Sequence, residues 1–172
     1  MQSQNIDAIK AIFHSRLTTL EHILKTAATH FNDSEEFLER RLAADMFPLS
    51  TQIIFTCNQP WNFALWCDGQ APNNLDPTVT SLHQAYEQIT KTKEKLTASA
   101  AVDSKLNEVS QIPLGESLCL ELSGRAYVDE FLMPNFYFHL VTTYDILRMA
   151  GVPLGKRDYM LHLIPGIRQV AS

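Results

Sequence analysis

The sequence predicts an all-α four-helix bundle, and three observations carry that reading. Apolar residues recur at alternating three- and four-residue steps through four long stretches, clusters of turn formers separate those stretches, and no long run alternates with the period of two that a sheet protein needs.

The first helix is read from about Asn5 to His30, with Ile6, Ile9, Phe13, Leu17, Leu20, Leu24, Ala27 and Phe31 on its inner face. His14, His22 and His30 recur every eight residues along it, about 12 Å apart in a helix, so they cannot share an ion and are read as boundary or surface residues. Asp33 and Ser34 offer N-caps for a short extra helix through Phe37 and Leu38 to about Arg41. Asp45 is read as the cap of a second long helix with Pro48 in its first turn and the seam Leu49, Ile53, Cys57, Trp61, Ala64. Pro60 cannot donate to the Thr56 carbonyl, which predicts a kink or break over Thr56–Gln59 with both halves still packed.

Asp68 to Pro77, DGQAPNNLDP, is a connection rich in turn formers. Val79, Leu82, Tyr86, Ile89 and Leu96 mark a third, more polar helix over about Pro77–Thr97. Leu118, Leu120 and Leu122 alternate with polar neighbours and face Gln111–Leu114 across Gly115-Glu116, the pattern of a small β-hairpin before the last helix. Ser123 caps a helical start at Gly124, and Pro134 either kinks that helix or opens a new one running to Ala150 and stopping at Gly151. A tail over 152–172 is expected to pack through Tyr159, Leu161, Leu163 and Ile164. At 172 residues without a linker or repeat, the chain reads as one domain over 1–172 with its core at about 5–151. The long connections argue against simple up-down-up-down topology.

Composition removes several function classes. With 45% hydrophobic and 19% charged residues and a net charge of −5, the chain is an ordinary globular one with no basic stripe for a nucleic-acid backbone. No run of roughly 18 apolar residues spans a membrane and no signal-peptide pattern opens the chain, so a cytoplasmic protein is expected. Cys57, Cys67 and Cys119 form no C-x-x-C, and the first two would lie about 15 Å apart on one helix, too far to bond. Walker, Rossmann, G-x-S-x-G and H-E-x-x-H motifs are absent.

The chemistry concentrates on the last helix, whose seam is Leu132, Phe136, His139, Thr143, Ile146, Ala150. His139 falls on the inward face, and Asn135 lies one turn earlier on the same side, the spacing at which two side chains converge on an ion, water or ligand. Phe136, Tyr137 and Phe138 are read as core, and Trp61 and Trp66 either pack internally or help form a dimer surface.

These residues carry a resemblance. The run Asn135–Val152, NFYFHLVTTYDILRMAGV, resembles the last helix of the DinB/YfiT-like superfamily, and RLAADMFPL over 41–49, PNFYFH over 134–139 and GKRD over 155–158 resemble a bacterial branch of it of unknown function. The resemblance implies an up-down-down-up bundle, often dimeric, among proteins grouped as metal-dependent enzymes that include thiol-dependent transferases. In the superfamily pattern three histidines hold a divalent metal, two from the last helix and one from the second. Here His139 matches the second of the pair, Asn135 replaces the first, and no histidine lies between His30 and His83 to supply the third. Asp45 stands near that third place. A polar remnant of the metal pocket around Asp45, Asn135, His139 and Thr143 is therefore expected, with no cofactor; if zinc or nickel binds, His139, Asp45 and Asn135 are its ligands, although an amide oxygen is a poor donor for either ion. Three functions stay open: a bundle of unknown function with a degenerate pocket, a metal-dependent transferase or hydrolase acting on a small thiol or electrophile, and a non-catalytic small-ligand-binding or interaction module. A homodimer is the expected assembly.

Overall fold

Asn5 starts the bundle by accepting a hydrogen bond from the Ala8 amide at 2.9 Å, while the Ile6 amide reaches the Asp103 carboxylate at 2.9 Å. In the computed structural model, which describes residues 5–113 and 117–169, helix α1 spans Ile6–His30 and the predicted inner stripe from Ile6 to Ala27 is fully buried. Asn32 and Asp33 take left-handed backbone conformations and turn the chain away. Asp33 and Ser34 are therefore not helix caps: the short element is a 3-10 turn, Glu36–Glu39, preceded by Glu35.

Helix α2 spans Leu49–Cys67 and begins on Pro48, not on Asp45, which lies in the exposed turn before it. The fixed φ of Pro48 is already helix-compatible, and the Leu49 amide is satisfied by the Arg40 carbonyl at 2.9 Å, so no side-chain cap is needed at that amide. The helix crosses Pro60 without a break. Ile53, Ile54 and Cys57 before the proline and Phe63 and Ala64 after it are all fully buried, and packing on both sides holds the two halves in one rod. Trp61 and Leu65 stay within the helix.

Two asparagines buried on α2 set the topology. Asn58 Oδ1 accepts from the Leu75 amide at 2.8 Å, Asn62 Oδ1 accepts from the Asn73 amide at 2.9 Å, and Asn62 Nδ2 donates to Asn74 Oδ1 at 2.8 Å. The connection after α2 is thereby stitched back along the helix it has just left, because its backbone groups would otherwise be buried unpaired. Helix α3, Leu82–Ala98, then starts beside the beginning of α2, with the Leu82 amide bonded to Glu35 at 2.7 Å, and ends beside the end of α2, where Lys95 pairs with Asp68 at 2.7 Å. It starts later than Pro77 because Asp76 holds the Thr78 amide in a turn and Ser81 is the cap. The bundle runs up-down-down-up.

Strands β1, Val109–Pro113, and β2, Cys119–Ser123, form the expected antiparallel hairpin in the register Val109 to Ser123 and Pro113 to Cys119; its Gly115-Glu116 turn lies outside the described residues. Ser123 caps a single helical turn, α4, Gly124–Ala126. A π-helical segment, Tyr127–Leu132, leads directly into α5, Met133–Met149. Pro134 stands in the first turn of α5, one residue after its start, and does not break the rod: the Met133 amide bonds the Val128 carbonyl five residues back, and the wider turn accommodates the proline ring and its missing donor. Gly151, at φ 90°, ends α5 with the Val152 amide on the Leu147 carbonyl.

Beyond it, α6, Lys156–Tyr159, is clamped to α1 by His22 Nε2 and Asp158 Oδ1 at 2.8 Å. The buried anchors of this segment are Val152 and Leu154, whereas Leu163 is 54% exposed, because the chain closes in a 3-10 turn, Leu161–Gly166, that turns Leu163 outward. No helix among the described residues is long and apolar enough to cross a membrane.

Candidate functional site

Helices α2 and α5 run antiparallel, which brings Gln52, one turn into α2, against His139 on α5. His139 Nδ1 lies 2.8 Å from Gln52 Oε1, and Gln52 Nε2 donates to the Phe47 carbonyl at 3.3 Å. The second bond orients the carboxamide, so its oxygen faces the imidazole and Nδ1 carries the proton. Gln52 is 2% exposed and its side chain is fixed. His139 is half-buried, and desolvation pushes its pKa from 6.5 down to about 4. At neutral pH the ring is an uncharged Nδ1–H tautomer whose Nε2 has no protein partner among the described residues and is free to accept.

The other expected members are arranged differently. Asn135 Nδ2 donates to the Phe131 carbonyl at 2.7 Å, within its own helix where the π-helical segment meets α5. Thr143 is fully buried one turn beyond His139 and its Oγ1 has no partner among the described residues. Asp45 is exposed and makes no hydrogen bond or ion pair with His139, Asn135 or Thr143 among the described residues. The donors on and facing this stretch of α5 are thus the His139 imidazole and the carboxamides of Gln52 and Asn135, both already hydrogen-bonded, and no three His, Cys, Asp or Glu side chains among the described residues converge as metal ligands. That set does not fit a tightly held zinc or nickel ion.

Aromatic rings frame the histidine. Phe47 meets Phe55 edge-on at 5.3 Å, Phe55 meets the His139 ring at 5.1 Å, and Phe138 meets that ring edge-on at 5.1 Å. The end members are solvent-facing, Phe47 at 59% and Phe138 at 57% exposed, so only Phe136 of the predicted Phe136–Phe138 core run is fully buried. Phe138 points out because it lies two residues from Phe136, on the opposite side of the helix. Phe55 also forms one wall of a cavity of about 420 Å³ lined by Glu39, Phe47, Ser50, Thr51 and Pro77–Thr80.

The family model for the domain of unknown function DUF1993 matches residues 6–160, which takes in all four long helices and the hairpin. The chain belongs to the DUF1993 family. A solved structure of a DinB family member protein from Shewanella denitrificans superposes on this DUF1993 chain with a TM-score of 0.77, at 29% identity over 88% of each chain. Among curated proteins none matches. The DUF1993 chain is a DinB-like protein of unknown biochemical function.

Gln52 is the site residue that sequence reasoning missed. Its signal was present: it is the long polar side chain within the first two turns of a helix buried on almost every side, and such a residue needs a partner.

Proposed function

We propose that this DUF1993 protein is a non-catalytic small-ligand-binding bundle in which the metal position of the DinB-like pocket has become a hydrogen-bonded polar pair. The observation that carries the reading is the 2.8 Å contact between His139 Nδ1 and Gln52 Oε1, with Gln52 itself anchored to the Phe47 carbonyl. A fixed neutral imidazole offering Nε2, with Phe55 and Phe138 both against its ring, suits a flat apolar molecule bearing one N–H or O–H donor. The free cysteines Cys57, Cys67 and Cys119 support a reducing, cytoplasmic setting.

Elemental analysis of protein purified without chelator or added metal tests the first half: far less than one zinc or nickel per chain is the expected result. One metal per chain would restore the metal-dependent transferase or hydrolase, with His139 as a ligand. Phenol, titrated while the imidazole nitrogens are followed by NMR, tests the second half. Nε2 should shift and Nδ1 should not, whereas an unmoved Nε2 removes the ligand site.

A homodimer through α5 is the second reading, supported by an outer face on which Phe138, Val141 and Met149 are 57%, 38% and 55% exposed. Trp66 is buried and bonds Ser110 at 2.8 Å, while the half-buried Trp61 is held by the Asn73 carbonyl and by Lys91 over its ring. Light scattering should give twice the chain mass, falling to the chain mass in Phe138→Asp. A monomeric parent protein would remove the reading.

A further inference from the structure

The cavity beside Phe55 holds a set of donors that the His139 site does not use. Helix α2 starts on Pro48, which has no side chain able to cap it, and no acidic residue lies in its first turn. Its first internal bond runs from the Gln52 amide to the Pro48 carbonyl, and the Leu49 amide is taken by Arg40. The amides of Ser50 and Thr51 are left with no acceptor among the described residues, although both residues line the cavity.

Ser50 adds an independent observation. The residue is 4% exposed, yet its hydroxyl makes no hydrogen bond among the described residues. The hydroxyl is not sealed in the interior, and Ser50 lines the cavity. A hydroxyl that opens onto a cavity without a protein partner keeps its donor and acceptor capacity for whatever the cavity holds. Thr51 Oγ1, likewise without a partner, lies beside it at the cavity wall.

We propose that this cavity is a binding site for a small monocarboxylate with an apolar body, its carboxylate on the Ser50 and Thr51 amides and the Ser50 hydroxyl. The positive end of a 19-residue helix, with two free N–H groups and a hydroxyl, matches one anionic head group. Phe47, Phe55, Pro77 and Val79 supply the apolar walls, and about 420 Å³ lies within the range of small-molecule sites. The exposed carboxylate of Glu39 on the rim, and that of Asp76 nearby in sequence, oppose a second negative charge and select a monoanion over a phosphate dianion. The inference does not depend on the ligand reading of His139, whose ring does not line this cavity.

The test is an NMR titration of the full chain with benzoate, with benzamide as its neutral counterpart and inorganic phosphate as the competing anion. Benzoate should move the Ser50 and Thr51 amide resonances to saturation, and benzamide should bind at least about tenfold more weakly because it brings no charge to the helix end. Ser50→Ala, shown to be folded by its unchanged distant resonances, should weaken benzoate by at least about fivefold. Amides that stay put up to tens of millimolar benzoate, or equal binding of benzoate and benzamide, would overturn the site. Phosphate binding more tightly than benzoate would overturn the monocarboxylate class, and unchanged affinity in Ser50→Ala would overturn the role of the hydroxyl. Phenol shifts at His139 Nε2 are read in a different region of the spectrum, so failure of either site is seen separately.

Discussion

His139 Nδ1 and Gln52 Oε1 lie 2.8 Å apart across the interface of the second and last long helices, a contact between residues 87 apart in the chain. It ties the protonation state of one side chain to the packing of two helices, and the pH dependence follows.

His139 is held at about 4 against an unfolded value of 6.5, so between those values the unfolded chain binds more protons than the folded one. Its stabilising contribution is complete above about pH 6.5 and is lost as the pH falls towards 4, with a full span of roughly 3 kcal/mol. Urea melts at intervals from pH 7 to 4 should show this slope, and His139→Gln, which can keep an amide bond to Gln52 without titrating, should flatten it. His162, also held low by burial and by Arg16, leaves a smaller residual slope. An unchanged slope in His139→Gln would show that other groups carry the effect.

Asn135 lies one turn before His139 on α5, and Gln52 faces His139 from α2, so imidazoles at these two positions would join the one already there. Asn135→His alone gives two histidines four residues apart on α5, and Asn135→His with Gln52→His adds a third on α2 facing His139. Zinc or nickel affinity measured by calorimetry should rise in the single variant and rise further in the double. The single variant loses the bond from Asn135 to Phe131 and should be destabilised by about 1 kcal/mol without metal. No gain in affinity in the double variant would mean that the interhelical geometry does not match the DinB-like pocket.

Gly124 marks a close approach at the other end of the bundle. A Cβ there would stand 2.2 Å from the Lys105 carbonyl oxygen and 2.7 Å from Trp66 Cζ2, and neither backbone nor a packed indole can yield cheaply. Gly124→Ala should therefore lose about 2 kcal/mol or more, read as a lower urea midpoint. A midpoint within error of the parent would show that α4 can shift freely.

The clamp on the C-terminal segment is Asp158, which accepts from His22 at 2.8 Å with one oxygen and from the Gly155 amide at 2.8 Å with the other. Asp158→Ala should raise hydrogen exchange over 155–166 while leaving α2 and α5 protected, since the segment is anchored separately by Val152 and Leu154. The His22 contact and the Gly155 amide lower the Asp158 pKa, so this contribution is present above the unfolded value of 3.8 and is lost only in more acidic solution, below the window of His139. Uniform exchange in the parent and the variant would mean that the clamp carries no load.

Much of this molecule was legible in the chain because local physics decides it. The α1 stripe, the Ser123 cap, the hairpin alternation and the Gly151 stop each depend on residues within a turn or two of one another, and the covalent geometry of proline and glycine does not wait for tertiary contacts. That His139 faces inward, towards α2, followed from the same periodicity. What the sequence could not determine was which polar groups meet across helices. Asp45 looked like a cap and pocket member from its place before α2, but the helix starts three residues later than a cap at Asp45 requires, and that side chain is left in solvent. Gln52, Asn58 and Asn62 acquired their roles only when the chain packed, because a buried amide is satisfied by whatever backbone or side chain the fold brings to it. The same holds at Pro60 and Pro134: each removes one donor locally, but the packing around α2 and the wider π turn before α5 decided that neither would break its helix.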